Sequence, residues 1–356
     1  MININVWEKV LLEPSASIKD AIKVLTESSL KIVLIVDSHR NLYGTITDGD
    51  IRRGLLKGFN MSDPIIEITN TKPIVVPLSF TRESVLKIMS ANKILQIPIV
   101  SEDFKVVGLH LWDEGSNKSK RSNLMVIMAG GKGTRLMPKT EKTPKPMLHI
   151  GGKPILEHII CRAKSEGFTQ FVLAINYLGE VIENYFSDGK SLGVKIEYLK
   201  ESTPLGTAGA LSLLDQPPKE AFIVTNGDVL TDINYGDMID FHIQNEATAT
   251  MAVQVHEFQN PFGVVATQGV NIVSYEEKPV TSTLVNAGVY VLDPFTLDLI
   301  ESTTEYNMPT LFEVIRQHKL KTIAFPIHEK WIDLGTPIDL KKASEEFQVT
   351  RRDKMN

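Results

Sequence analysis

The sequence predicts an α/β fold, a mixed, mostly parallel sheet with helices on both faces, preceded by a smaller α+β pair. Three observations predict it. From Asn123 onward, short apolar runs alternate with helix-like amphipathic stretches, the pattern of a parallel sheet with crossover helices. Ahead of that, two segments match in kind, without a gap, at a shift of 64 positions: Ile35 and Val36 fall on Ile99 and Val100. Between the two regions the apolar run Leu124 to Met128 leads into Ala129-Gly130-Gly131-Lys132-Gly133-Thr134-Arg135. Glycines there allow a tight turn, and their N–H groups can cradle negatively charged oxygens.

Composition bounds the function. At 356 residues the chain can bury two cores, and 42% apolar with 23% charged residues is ordinary for a soluble globular protein. The net charge of −5 argues against nucleic-acid binding, so an anionic ligand must be held by local cations and backbone N–H groups. Cys161 is the one cysteine, which excludes a disulfide framework and a thiolate metal site and fits a reducing cytoplasm. The first residues lack the basic start and apolar core of a signal peptide, and no run reaches membrane-spanning length, so no membrane insertion is expected.

The first repeat, residues 1–58, predicts a short strand (Val10 to Leu12), a helix (Ser17 to Ser28) and two strands (Ile32 to Asp37, Tyr43 to Thr47). The second, 59–114, predicts the same order: Ile74 to Val76, Thr81 to Asn92, Gln96 to Val100, Val106 to Leu111. Each copy is too small for a good core, so the two should pack on each other. The arrangement resembles a tandem pair of cystathionine-β-synthase-type (CBS) domains. The resemblance implies that Thr47 and Asp50, in Gly44-Thr45-Ile46-Thr47-Asp48-Gly49-Asp50, hold an adenine nucleotide (AMP or ATP). Helix N-capping explains the same two residues equally well. The second copy has Leu111 and Glu114 at these places. Residues 115–122 are polar, without apolar periodicity, and are expected to be a linker.

From residue 123 to 347 the elements alternate. Strands are expected at Leu124 to Met128, Phe171 to Ile175, Lys195 to Tyr198 and Ala221 to Thr225. Helices are expected at Pro154 to Glu166, Gly179 to Phe186, Gly206 to Leu214 and Tyr235 to Asn245. Strands then dominate (Ala249 to Val255, Gly263 to Ala266, Ile272 to Tyr275, Asn286 to Leu292). Helices follow at Pro294 to Glu301, Pro309 to Lys319 and Pro337 to Phe347. Residues 348–356 are expected to be a fraying tail.

The glycine loop is not a P-loop, because Lys132 precedes Gly133, and not a dinucleotide fingerprint, because Leu136 stands where its last glycine belongs. Further blocks recur in order: Pro144-Lys145-Pro146-Met147, Leu205-Gly206-Thr207-Ala208-Gly209, Asn226-Gly227-Asp228, Phe262-Gly263-Val264, Glu277-Lys278-Pro279, Asn286-Ala287-Gly288 and Trp331-Ile332-Asp333-Leu334-Gly335-Thr336. Together they resemble the sugar-1-phosphate nucleotidyltransferases, over residues 123 to 347. The resemblance implies attack by a sugar phosphate on the α-phosphorus of a nucleoside triphosphate, with pyrophosphate leaving. It implies that Ala129, Gly130, Gly131, Gly133 and Thr134 wrap the triphosphate and that Gly206 and Thr207 meet the base. Arg135 and Lys145 are then the catalytic cations, and Asp228 and Asp333 hold Mg²⁺. Gly263, Glu277, Lys278 and Asn286 take the sugar phosphate.

With an N-terminal CBS pair, the chain looks most like guanylyltransferases of the mannose-1-phosphate type. GTP and mannose 1-phosphate or glucosamine 1-phosphate are the implied substrates, in bacterial surface-sugar biosynthesis, with a homo-oligomer expected. Uridylyl or thymidylyl transfer is the alternative within the family. A catalytically dead nucleotide sensor is the alternative outside it.

Overall fold

The computed structural model describes residues 7–28, 30–112, 120–301 and 304–353, with backbone alone for 346–353. The chain forms two compact units, Met1–Asn117 and Lys118–Asn356. Glu114 and residues 115–119 of the expected linker lie outside the described residues.

In the first unit, β1 (Leu11–Leu12), β2 (Ile32–Val36) and β3 (Leu42–Thr47) form one sheet; β4 (Val76–Pro77), β5 (Gln96–Val100) and β6 (Val106–Leu111) form the second. The repeat holds in register. Leu12 pairs with Ile35 and Val76 with Ile99, while Ile35 pairs with Gly44 and Ile99 with Gly108. Even the irregularities match, one after Ile35 and one after Ile99. Helix α1 (Ile18–Glu27) begins with a capping box in which Asp20 accepts from the Ser17 N–H and Ser17 Oγ accepts from the Asp20 N–H. Val106 of the second copy packs in one cluster with Val10 and Leu34 of the first, so the copies share a core. Helices α2 (Asp48–Leu56) and α3 (Arg82–Asn92) complete the unit.

The second unit is built on a seven-stranded sheet. Its strands include β7 (Met125–Met128). The small hairpin β8 (His149–Ile150) and β9 (Lys153–Pro154) then leads into α4 (Ile155–Ser165). Next come β10 (Gln170–Ile175), α5 (Gly179–Phe186), β11 (Lys195–Lys200), the one-turn α6 (Gly206–Gly209) and β12 (Phe222–Asn226). They are followed by β13 (Val229–Thr231), α7 (Tyr235–Gln244), β14 (Ala249–Gln259), β15 (Val264–Gln268), β16 (Asn271–Glu276) and β17 (Val280–Leu292). The unit ends with α8 (Met308–Gln317), β18 (Thr322–Ile327), β19 (Trp331–Asp333) and α9 (Pro337–Asp353).

The strand order is β11-β10-β7-β12-β17-β14-β18, and only β17 within this sheet runs antiparallel to its neighbours. Successive residues of β7 serve opposite cores, as the two-residue period requires. Met125 and Ile127 pack with Ile155, Ile159, Ile182 and Met238 from α4, α5 and α7, whereas Val126 packs with Met308, Leu311 and Ile315 from α8. The sheet is thus covered on both faces, as a parallel sheet must be.

Several sequence expectations need correction. The helix expected over Gly206 to Leu214 is one α-turn followed by a 3-10 turn, Ala210–Leu213, because two glycines weaken it and the chain becomes extended at Leu214. Pro294–Leu299 is likewise a 3-10 turn, started by Asp293 accepting from the Phe295 N–H. Strand β18 was not foreseen, since Pro326 interrupts its pattern; it sits at the sheet edge, where proline is tolerated. Finally, α9 runs on to Asp353 instead of ending at Phe347, there being no glycine or proline after Pro337 to stop it. Arg121, expected in the linker, is fixed to the second unit by a bidentate bond to Asp240, at 3.1 and 3.0 Å. Among the described residues no helix is long and apolar enough to cross a membrane.

Candidate active site

The sheet order has a switch point between β7 and β12. After β7 the chain builds outward through β10 and β11, then returns to the other side of β7 with β12. A crevice forms at the carboxyl ends of strands where the order reverses, and ligands bind there in open α/β sheets. The glycine loop follows β7 and Asp228 follows β12, so the two predicted features meet at that crevice. A cleft of about 240 Å³ is lined there by Ala129, Gly130, Gly131, Lys145, Glu201, Gly206, Thr207 and Asp228, among others.

Each loop glycine has a different reason. Gly133 has φ of +61°, the left-handed region, and begins the 3-10 turn carrying Thr134 and Arg135. A Cβ on it would stand 3.0 Å from the buried Thr140 and 3.1 Å from Lys145 Cβ. Thr140 Oγ1 donates to the Gly133 carbonyl at 2.9 Å and closes the loop's base. At Gly130 a Cβ would meet Glu201 Oε1 at 2.8 Å, whereas at Gly131 it would meet nothing. Gly131 is therefore free for close ligand approach. Ala129 is buried, anchored by its N–H to the Ala174 carbonyl at 2.8 Å.

Lys145 stands on a short 3-10 turn stiffened by Pro144 and Pro146. It is 8% exposed, unusual for lysine, and its Nζ donates to Asp228 Oδ2. Asp228 is placed by Gly227, whose N–H donates to the Met128 carbonyl at 2.8 Å. Asp333 arrives by another route. Strands β13 and β19 form an antiparallel ribbon in which Val229 pairs with Asp333, and the Leu334 N–H donates to the Asp228 carbonyl at 3.1 Å. The ribbon sets the two aspartates side by side. Desolvation, and then the Asp228 carboxylate, push the Asp333 pKa upward, while Lys145 and Arg135 pull it back. Trp331 packs against the core and ties β19 to the sheet through its indole N–H, 2.8 Å from the Ala287 carbonyl.

On the opposite wall, Gly206 has φ of +75° and lies so close to Tyr306 and Asn307 that no Cβ fits. The Thr207 hydroxyl accepts from the Met308 N–H at 2.9 Å and so caps α8 as well as lining the cleft. Glu201, at the end of β11, was missed by sequence reasoning. Burial pushes its pKa up, the Leu205 N–H opposing at 2.8 Å, and its other oxygen faces the glycine loop.

The expected sugar-phosphate residues divide. Asn286 stands on β17, where its side chain donates to Tyr290 Oη and accepts from the Gly288 N–H. Gly288 in turn lies against Asn226 of the cleft, at 2.8 Å from a built Cβ. Gly263, Glu277 and Lys278 sit on the exposed β15–β16 hairpin and its return. Glu277 accepts from Tyr275 there, and Lys278 adopts φ of +49° before Pro279, a rare conformation for a non-glycine residue. No hydrogen bond or ion pair among the described residues joins these three to the cleft. In the first unit, Asp50 Oδ2 accepts from both the N–H and Oγ1 of Thr47, and Oδ1 accepts from Arg53 at 2.7 Å. The pair thus caps α2.

A family model described as nucleotidyl transferase matches residues 124–349. The chain belongs to the nucleotidyl transferase family. A model described as CBS domain matches residues 6–57 and 65–109. Among curated relatives, the nucleotidyl transferase chain is 36% identical over 224 residues to a probable mannose-1-phosphate guanylyltransferase 1 of Oryza sativa subsp. japonica, covering 60% of this chain and 62% of that one. It is 33% identical over 229 residues to the mannose-1-phosphate guanylyltransferase of Mycobacterium tuberculosis (62% and 64%). Against the UTP–glucose-1-phosphate uridylyltransferase of a Synechocystis species it is 32% identical over 238 residues (61% of each). The chain therefore spans a little over three fifths of the length of these relatives.

Among solved structures, a putative glucose-1-phosphate thymidylyltransferase from Bacillus anthracis shares the fold, with a TM-score of 0.52 at 24% identity, over 63% of this chain and 95% of that one. HddC from Yersinia pseudotuberculosis matches with a TM-score of 0.51 at 25% identity, over 63% and 99%.

Proposed function

We propose that this chain joins a nucleoside triphosphate, with GTP favoured, to a sugar 1-phosphate of the mannose or glucosamine type, releasing pyrophosphate, in bacterial surface-sugar biosynthesis. The observation that carries the reading is the nearly buried Lys145 paired with Asp228 beside a glycine loop, with Asp333 one ribbon strand away. The nucleophile needs no general base. A phosphate monoester has a second pKa of about 6 and is mostly dianionic at neutral pH. The barrier is the approach of one polyanion to another, so cations and fixed donors are what the site must supply.

The backbone around Gly130 and Gly131 receives the triphosphate, and Arg135 draws the leaving pyrophosphate. Lys145 stabilises charge on the α-phosphate. Asp228 and Asp333 fit Mg²⁺: burial first, and then the neighbouring Asp228 carboxylate, disfavour the charged form of Asp333, and a divalent cation held by these two hard carboxylates offsets both. When bound, Mg²⁺ neutralises phosphate oxygens and aligns them for in-line displacement. Glu201 supports the choice of guanine. An acceptor-only carboxylate suits the N1–H and N2–H₂ donors of that base. Glu277, Lys278 and Asn286 would take the sugar phosphate once the hairpin arm meets it. AMP or ATP bound at Thr47 and Asp50 would regulate the reaction.

The test is Lys145→Ala in the full chain, with pyrophosphate release as readout. Turnover should fall roughly 100-fold or more while the circular dichroism spectrum is kept. Wild-type turnover in that variant would refute the reading.

A further inference from the structure

A second cavity, of about 380 Å³, is lined in part by Arg135 and Asp333. Its walls also include Gly335, Thr336, Asp339 and Lys342. Arg135 and Lys342 have no hydrogen-bond or ion-pair partner among the described residues, although two carboxylates line the same cavity. Asp339 is engaged through one oxygen. Its Oδ2 accepts from the Thr336 N–H at 3.0 Å and from Thr336 Oγ1 at 2.6 Å, in the capping box that starts α9. That cap fixes the helix, whose packed side is Leu340 and Ala343, and sets Lys342 one turn beyond Asp339 facing the cavity. Gly335 lies between Arg135 and Asp333: a Cβ there would be 3.5 Å from both Arg135 Nη1 and Asp333 Oδ1.

We infer that Lys342 adds a second cation, on the cavity it shares with Arg135, for the pyrophosphate end of the reaction, the β- and γ-phosphates of the incoming triphosphate and the pyrophosphate that leaves. The inference rests on the transfer reaction proposed above and adds a residue outside every block that carries the family resemblance. The step balances simply. The sugar phosphate oxygen forms a bond to the α-phosphorus, the bond from α-phosphorus to the bridging oxygen breaks, and that oxygen departs with its electron pair on pyrophosphate. The leaving group gains negative charge as it separates, and the Arg135 guanidinium and the Lys342 ammonium receive it.

The experiment measures both directions of the reaction with full-length Lys342→Ala, Lys342→Glu and, as a charge control, Lys341→Glu, which alters a neighbouring 79%-exposed lysine. Lys342→Ala should raise the KM for pyrophosphate about tenfold, the loss of one hydrogen bond to a charged group, and leave the KM for sugar 1-phosphate unchanged. Lys342→Glu should raise it further, and Lys341→Glu should not. An unchanged KM for pyrophosphate in active Lys342→Glu enzyme overturns the inference, as does an increase confined to the sugar 1-phosphate. Calorimetric titration with inorganic pyrophosphate reads the same subsite without turnover. Weaker binding in Lys342→Glu than in wild type supports the subsite even if the wild type transfers no nucleotide, and equal binding overturns it.

Discussion

Gly227→Ala is a small change at the point where the site is tied to the sheet. A Cβ at Gly227 would stand 2.7 Å from the Met128 carbonyl oxygen and 3.4 Å from Ala129 Cα and Cβ. The neighbour is backbone of the central strand β7, not the end of a flexible side chain, so it cannot swing away. Either β7 and β12 separate at their carboxyl ends, or the Gly227 N–H loses its 2.8 Å bond to Met128. Overpacking of this kind costs about 1–3 kcal/mol. At roughly 2–4 °C per kcal/mol for a unit of this size, the melting temperature should fall by about 2–12 °C. Asp228 is the next residue, and a shift of an ångström there should cost about 100-fold in turnover. Gly131→Ala is the control, since its Cβ meets nothing, and it should melt like the wild type. Thermal unfolding and pyrophosphate release on both variants decide the matter. Wild-type melting and turnover in Gly227→Ala would show that the strand ends do not position Asp228 as described.

Two further outcomes are expected. Glu201→Gln replaces an acceptor-only group by one that also donates, so the KM for GTP should rise about tenfold while that for UTP or TTP does not; equal changes for every triphosphate would remove Glu201 from base selection. Asp50→Ala removes both the α2 cap and the expected nucleotide ligand. It should cost about 1 kcal/mol of stability and weaken AMP or ATP binding, with basal turnover unchanged. Undiminished adenine-nucleotide affinity would leave Asp50 as a cap alone.

Much of the fold was legible because local pattern and tertiary need agree. The 64-residue shift of the first unit survives down to the strand register, since each copy must present the same apolar positions to a shared core. Helix Gly179–Phe186 and strands β5 and β6 coincide with their sequence limits. The strands that were missed carry little pattern of their own. β13 and β19 have three residues each, and β18 contains Pro326 and owes its pairing to β14.

In the site, glycines and lysines within blocks were visible, and Gly130, Lys145, Gly206 and Asp228 do meet in one cleft. Glu201 and Lys342 were not visible. A lone glutamate after Lys200 and a lysine in a charged helix carry no spacing signal, and each matters only through where β11 ends and where the Thr336 cap sets α9. The hairpin bearing Glu277 and Lys278 was foreseen as strands, but how it stands toward the cleft is a tertiary property that no local pattern encodes.

The most direct measurement is pyrophosphate release by the full-length chain, with four nucleoside triphosphates crossed against a panel of sugar 1-phosphates, for wild type and Lys145→Ala. The expected result is release with GTP and a mannose- or glucosamine-type 1-phosphate, dependent on Mg²⁺ and lost in Lys145→Ala. Release from no pair, as for a nucleotide sensor without turnover, or release undiminished in Lys145→Ala, would contradict it.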